Sequence, residues 1–309
     1  SAPLTDDEVA RVQGGNWTLD FLRSKVDQFV LHYDVCGTSQ TCFRVLHSRG
    51  LSVHFMLDID GTVYQTIDLK DETWHATSAN GRSIGVEIAN MGAYPTSASP
   101  APLMEWYQKD PATGRVRITI PARLPNGGGV LTPGFVGHPV RDEMVAGALQ
   151  GNVYRQYDFT GQQYLALAKL TATLCTVFPK IQPDFPRQKT ALGVPTTAPT
   201  TQPTPGDPTT RPAALAEPEE PGRLIPHALT PAQLDEFQGV LGHYHVQTDK
   251  QDPGPAFQWE MLMARTRALM TAEARAENVK HRHQPARFVP TPPKPATTTA
   301  TAPAGGAVR

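Results

Sequence analysis

The stretch Gly242-His243-Tyr244-His245-Val246-Gln247-Thr248-Asp249-Lys250-Gln251-Asp252-Pro253-Gly254-Pro255 gathers two imidazoles, a lysine and two carboxylates before Pro-Gly-Pro closes it. Pro fixes φ and Gly admits positive φ, so this punctuation predicts a rigid turn rather than a helix or strand. A rigid loop can hold a histidine and an aspartate side by side, which is what a divalent cation needs. One imidazole and one carboxylate fall short of a catalytic zinc site, which takes three protein ligands and leaves a position for water. Another histidine and a general base must come from elsewhere in the chain.

Two earlier segments offer them. Phe29-Val30-Leu31 reads as a buried strand that delivers His32-Tyr33 at its C-terminal end, where a histidine serves either a site or the fold. Ser83 to Asn90 reads as another strand, with Glu87 between Val86 and Ile88. That carboxylate either alternates outward to solvent or, in a central strand, is partly desolvated. Desolvation raises its pKa and suits it to general-base work. Between these segments, Leu51–Leu57 and Thr62–Ile67 flank Asp60-Gly61 as a β-hairpin, and Trp74-His75-Ala76 and Asn80-Gly81-Arg82 follow in a loop.

The other elements frame these. Leu19 to Val26 fits a helical turn or an irregular lead-in. A Pro- and Gly-rich stretch over 91–136 reads as an insertion at the rim of the site. It carries a second hairpin, Glu105–Gln108 with Arg115–Ile120, turning around Pro111-Ala112-Thr113-Gly114. His138 is a loop residue. Helices are expected over Gln162–Phe178, from the Thr230 N-cap and Pro231 through Phe237, and from Phe257 to Glu277.

Composition excludes several classes. With 309 residues, 39% of them hydrophobic, and a net charge of −1, the chain can bury a core and carries no basic stripe, which argues against nucleic acid. No apolar run approaches 18 residues, so no transmembrane helix is expected. The opening Ser-Ala-Pro-Leu-Thr has neither Met nor a signal peptide and reads as a trimmed terminus. Prolines cluster over 195–221 and 285–303 among Thr and Ala, which predicts a disordered insertion and a disordered tail. The tail, 278–309, is basic and fits either a solvated segment or weak attachment to an anionic envelope polymer. Cys175 has helical apolar spacing and reads as a core thiol. Cys36 and Cys42 flank a short polar loop and read as a small disulfide, implying an oxidising compartment; metal ligation by the pair is the weaker reading, since no second Cys pair exists.

With these pieces placed, the chain resembles the zinc N-acetylmuramoyl-L-alanine amidases of the type-2 amidase family, whose fold peptidoglycan recognition proteins share. The resemblance rests on Val30-Leu31-His32-Tyr33; Val53-His54-Phe55-Met56-Leu57 with Asp60-Gly61-Thr62-Val63-Tyr64-Gln65; Trp74-His75-Ala76; Asn80 through Glu87; Gly242-His243; and Lys250 through Pro255, all in the family's order. It implies an α/β fold with a central mixed β-sheet flanked by helices. The catalytic domain would span 1–277 with insertions at about 91–136 and 187–224, followed by the 278–309 tail. It further implies Zn2+ on His32, His243 and Asp252, with Glu87 as general base and Lys250 stabilising the oxyanion. Trp74, His75 and Asn80 would meet substrate, and a Cys36–Cys42 disulfide would mark an exported protein. The implied partner is peptidoglycan or its muropeptides, met by a monomer. Two departures stand out. Many relatives carry a catalytic tyrosine where this chain has Val53, and only those using a glutamate at the Glu87 position do without it. His245 stands where the family usually has Asp, which leaves His245 as an alternative ligand to His243. The alternative function is a catalytically inactive recognition module of the same fold.

Overall fold

This computed structural model describes residues 18–188 and 222–271, so the N-terminal opening, most of the 187–224 insertion and the 278–309 tail lie outside the described residues. Its organising element is β1 (Gln28–Tyr33), buried at all six positions, as a strand covered on both faces must be. Strands β2 (Phe55–Leu57), β3 (Val63–Gln65), β4 (Ser83–Ile88) and β5 (Gly239–Gly242) complete a five-stranded sheet in the order β5-β1-β4-β2-β3. The β1 strand runs parallel to β4 and β5, and β2 runs parallel to β4. Only the expected hairpin of β2 with β3 is antiparallel, so the sheet is mixed.

Alternation along the strands divides the work of the two faces. Phe29, Leu31 and Tyr33 of β1 and Ile84, Val86 and Ile88 of β4 point into the main core. There they meet two helices, α2 (Gly161–Val177) and α3 (Trp259–Met270), through Tyr164, Leu167, Leu174, Leu262 and Met263. Cys175 is buried in the same core, as its spacing predicts. On the opposite face Val30 and Leu241 pack under Ala76, Ala79, Ile225 and Leu229. That face continues upward to His32 and Glu87, which lie side by side in the parallel register of β1 and β4. Glu87 is therefore in a central strand, on the face away from Val86 and Ile88.

Several local readings shift in the fold. The lead-in forms a helix, α1 (Leu19–Lys25), because the Thr18 side chain accepts the Phe21 N–H at its start. The second hairpin pairs Tyr107–Lys109 with Val116–Ile118, while Glu105 and Trp106 belong to a helix, Ala101–Trp106. Helical spacing sets Leu103 and Trp106 on one side, where both join a small core with Ile59, Tyr107 and Tyr157. A further hairpin, Val145–Leu149 with Asn152–Gln156, turns on Gln150 and Gly151, both at positive φ. The helix α2 starts at a capping box in which the Thr160 hydroxyl accepts the Gln163 N–H and Gln163 reaches back to the Thr160 N–H. The helix α3 starts at Trp259 rather than Phe257 and ends at Met270, ahead of the expected Glu277, because the backbone turns extended at Thr271.

Asp158 ties this frame to the loop read first from the sequence. It is wholly buried. It accepts from Arg141 Nε at 2.7 Å, Gln258 Nε2 at 2.7 Å, the Tyr164 hydroxyl at 2.8 Å and the Phe159 N–H at 2.8 Å. Arg141 in turn donates to the Ala256 carbonyl. An Asp158→Ala chain leaves these donors in the interior, so its unfolding free energy should drop by about 3 kcal/mol or more, read by chemical denaturation.

Candidate metal centre

The parallel strands β1, β4 and β5 all end at one edge of the sheet, and the site lies there. His32 is the fifth residue of β1. His243 follows directly after β5, whose Gly242 is level with Leu31. The loop after it folds back so that the Tyr244 N–H donates to the Asp252 carbonyl at 3.2 Å. Three side-chain atoms then converge. His32 Nδ1 lies 3.0 Å from His243 Nδ1 and 2.9 Å from Asp252 Oδ2, and His243 Nδ1 is 3.1 Å from the same oxygen. All three residues are buried. The sequence separations are 211 and 220 residues, so only the tertiary fold makes this cluster.

The donor set fits a divalent zinc ion. His243 Nε2 lies 2.6 Å from Gln247 Oε1, an acceptor, so Nε2 carries the proton and Nδ1 presents a lone pair to the centre. Asp252 adds an anionic oxygen, held well below the usual carboxylate range by the two imidazoles despite its burial. Burial and the neighbouring His243 push His32 down to about 4, which keeps its ring neutral and able to ligate. Two imidazole nitrogens and one carboxylate oxygen are a catalytic zinc set with a position left for water.

Glu87 stands beside this triangle with one carboxylate oxygen, Oε2, buried and without a hydrogen-bond partner. Burial, then the neighbouring Asp252, Asp34 and Cys36, raise its pKa well above the ordinary value, and Lys250 pulls the other way. Lys250 is half-buried and lines the same cleft of about 720 Å³, together with Trp74, His75, Asn80 and Gln247. Trp74 is 63% exposed at the cleft wall, and its backbone N–H donates to Ser52 Oγ at 3.0 Å. Val53, at the position of the family's tyrosine, is buried and brings no hydroxyl.

The other candidate residues find specific places. Asn80 is buried, and its Oδ1 accepts the backbone N–H groups of His75 at 3.2 Å and Ala76 at 2.7 Å. His75 stands behind His32, Nδ1 to Nε2 at 2.9 Å. His245 is turned away from the centre: its Nδ1 accepts the Gly242 N–H at 2.9 Å and its Nε2 lies 2.9 Å from the Ile225 carbonyl. The structure therefore puts His243, not His245, with His32 and Asp252. His138 bonds the Val116 carbonyl from a loop. Cys36 and Cys42 stand as free thiols, Cys36 packed against the small apolar cluster that holds Cys42, so the expected disulfide is not formed in this structure.

Three supporting residues escaped the sequence reading. Gln247 is four residues after His243; the segment His243–Val246 is a single helical turn, where a rigid turn rather than a helix was expected, and i,i+4 spacing brings the amide to the ring. The periodic signal was there but too short to read. Gln156, wholly buried, donates to the Pro253 carbonyl at 3.0 Å and accepts the Ala256 N–H at 3.0 Å, clamping the loop beyond Asp252. Gly254 sits against that amide at φ 92°, where any Cβ would collide with the Gln156 side chain. Asp34 accepts the backbone N–H groups of Cys36, Gly37 and Asn90 and so shapes the turn after β1. Neither Gln156 nor Asp34 carries any local mark of its role.

The N-acetylmuramoyl-L-alanine amidase family profile matches residues 22–203, more than half of the 309. The match includes His32 and Glu87 and ends before His243 and Asp252. No curated protein sequence matches significantly. Among solved structures the chain is similar to the amidase AmiD from E. coli, in complex with anhydro-N-acetylmuramic acid-L-Ala-D-γ-Glu-L-Lys, at 15% identity and a TM-score of 0.39; 78% of this chain and 57% of AmiD are covered. It is also similar to the amidase LysC from Clostridium intestinale at 13% identity and a TM-score of 0.37, covering 80% and 88%. AmpD gives 16% identity and a TM-score of 0.33, covering 81% and 87%. The fold, a mixed sheet with helices on it, is the one the resemblance implies. On the extent of the profile match, the chain belongs to the N-acetylmuramoyl-L-alanine amidase family.

Proposed function

We propose that the protein is a zinc hydrolase that cleaves the amide between the lactyl group of N-acetylmuramic acid and the L-alanine of the stem peptide in peptidoglycan or muropeptides. The observation that carries this reading is the convergence of His32 Nδ1, His243 Nδ1 and Asp252 Oδ2 at 2.9 to 3.1 Å from one another, beside a buried carboxylate oxygen with no partner. These three atoms would hold a zinc ion, which when bound would supply a Lewis acid for water and the scissile carbonyl. The protein's own groups do the proton work. Glu87 takes a proton from the attacking water and gives it to the leaving alanine nitrogen, so the carboxylate ends as it began. Its raised pKa suits both halves of that transfer. Lys250 faces the negative charge that gathers on the carbonyl oxygen. Trp74 offers an exposed aromatic wall for the sugar or the peptide.

The test is release of L-alanine-started peptides from purified peptidoglycan by the zinc-loaded protein, beside His32→Ala. New alanine N-termini, absent with the variant, are expected. Zinc uptake with no release would replace the hydrolase by a recognition module.

We also propose that the protein works outside the cytosol with Cys36 and Cys42 joined. Cys36 packs against the cluster that holds Cys42, and the closure needs an oxidising partner disulfide that leaves as two thiols. Thiol titration of denatured, unreduced protein is expected to give one thiol per chain, from Cys175. Three free thiols would overturn both the disulfide and the compartment.

A further inference from the structure

Resting on the zinc reading, we infer that His75 is a positioning residue for the metal ligand His32, the middle of a support chain that runs from Ser83 through His75 to His32. With His32 Nδ1 committed to a cation, His32 Nε2 must carry the ring proton. It lies 2.9 Å from His75 Nδ1, which must then accept. That fixes the His75 proton on Nε2, 3.3 Å from Ser83 Oγ, which takes it. Each ring thereby determines the tautomer of the next. Ligating histidines ordinarily hand their second N–H to a carboxylate or carbonyl, and the orientation this gives is part of the metal's affinity. In this chain an imidazole takes that place, as Gln247 does for His243.

The backbone is shaped around the His75 ring. Asn80 Oδ1 holds the N–H of His75 at 3.2 Å and of Ala76 at 2.7 Å. Beneath the ring lies Gly85, where a Cβ would come within 2.6 Å of His75 Cε1 and Nδ1. Gly85 is thus the socket for the ring on β4. The same N–H of Gly85 is taken by His54 Nδ1 at 3.1 Å, so the strand loses no hydrogen bond there. Ser83, Gly85 and Glu87 share one face of β4 by alternation. Anchor, socket and base thus occupy three successive positions of that face.

The experiment measures zinc affinity by chelator competition, without substrate, for wild type, His75→Leu, His75→Asn and Gly85→Ala, with the Co2+ absorption spectrum as a second readout. In asparagine Oδ1 falls where imidazole Nδ1 was and accepts the His32 proton, so His75→Asn keeps most of the affinity. His75→Leu has no acceptor and loses about 10–100-fold. Gly85→Ala, which touches neither ligand, weakens binding and alters the Co2+ spectrum by displacing the ring. Unchanged affinity in His75→Leu with a shifted KM would make His75 a groove wall and overturn the inference, as would equal losses in His75→Leu and His75→Asn. A wild type that takes up no zinc overturns the zinc reading itself, and this inference with it. A zinc-binding wild type with an indifferent His75→Leu overturns the inference alone.

Discussion

Asp252→Ala is expected to lose zinc and turnover together. Asp252 contributes the one anionic oxygen of the cluster, 2.9 Å from His32 Nδ1 and 3.1 Å from His243 Nδ1. Without it two imidazoles remain, one ligand short of the set a catalytic zinc takes. The loss should also appear in stability. A ligand that binds only the folded state, at about a thousand times its Kd, stabilises by roughly 4 kcal/mol. Wild type should therefore melt higher with zinc than without it, and Asp252→Ala should melt at one temperature in both conditions. Calorimetry with and without zinc, beside metal content, checks this. Retained stoichiometric zinc in the variant would remove Asp252 from the ligand set. Failure of wild type to respond to zinc would count against the centre as a whole.

Glu87→Gln should separate binding from chemistry. Glutamine keeps the size of the side chain but accepts no proton, so zinc content should stay at the wild-type level while kcat falls about 10²–10⁴-fold, the contribution of a positioned general base. KM should move little, so kcat and kcat/KM fall together, the signature of an interaction made in the transition state. Thermal stability should hold or rise, because Oε2 is buried without a partner and an ionised oxygen there is costly. Full activity in Glu87→Gln would exclude it as the base. Loss of zinc would instead make it a ligand.

The chain's local patterns set out most of the parts. Phe29-Val30-Leu31 before His32 is legible as a buried strand because three apolar residues in a row need cover on both faces. Asp60-Gly61 marks the hairpin because Gly accepts the positive φ found there, 85°. Thr230 starts a helix three residues before a glutamine, and its capping box forms. Such signals act over a few residues, and the sequence carries them in full. Even there the short excursions misled, since Glu105-Trp106 has strand-like residues but turns helical to bury Trp106.

What only the tertiary structure decided is where side chains point and whom they meet. Periodicity tells that Glu87 alternates with Val86 and Ile88, but not which face is solvent. Helices α2 and α3 claim the Val86 face, and Glu87 is left with His32. Two imidazoles, His243 and His245, are equivalent as letters. The helical turn after β5 sends one into the cluster and the other back to the Gly242 N–H. Likewise His75 is a plausible groove residue in sequence, and becomes a support for His32 only because Gly85 leaves room for its ring. Residue types, spacing and order thus determined the family, the strands β1 to β4 and the candidate ligands. Contacts across 211 and 220 residues determined the centre, because a metal site is a convergence of directions and local sequence encodes no direction in space.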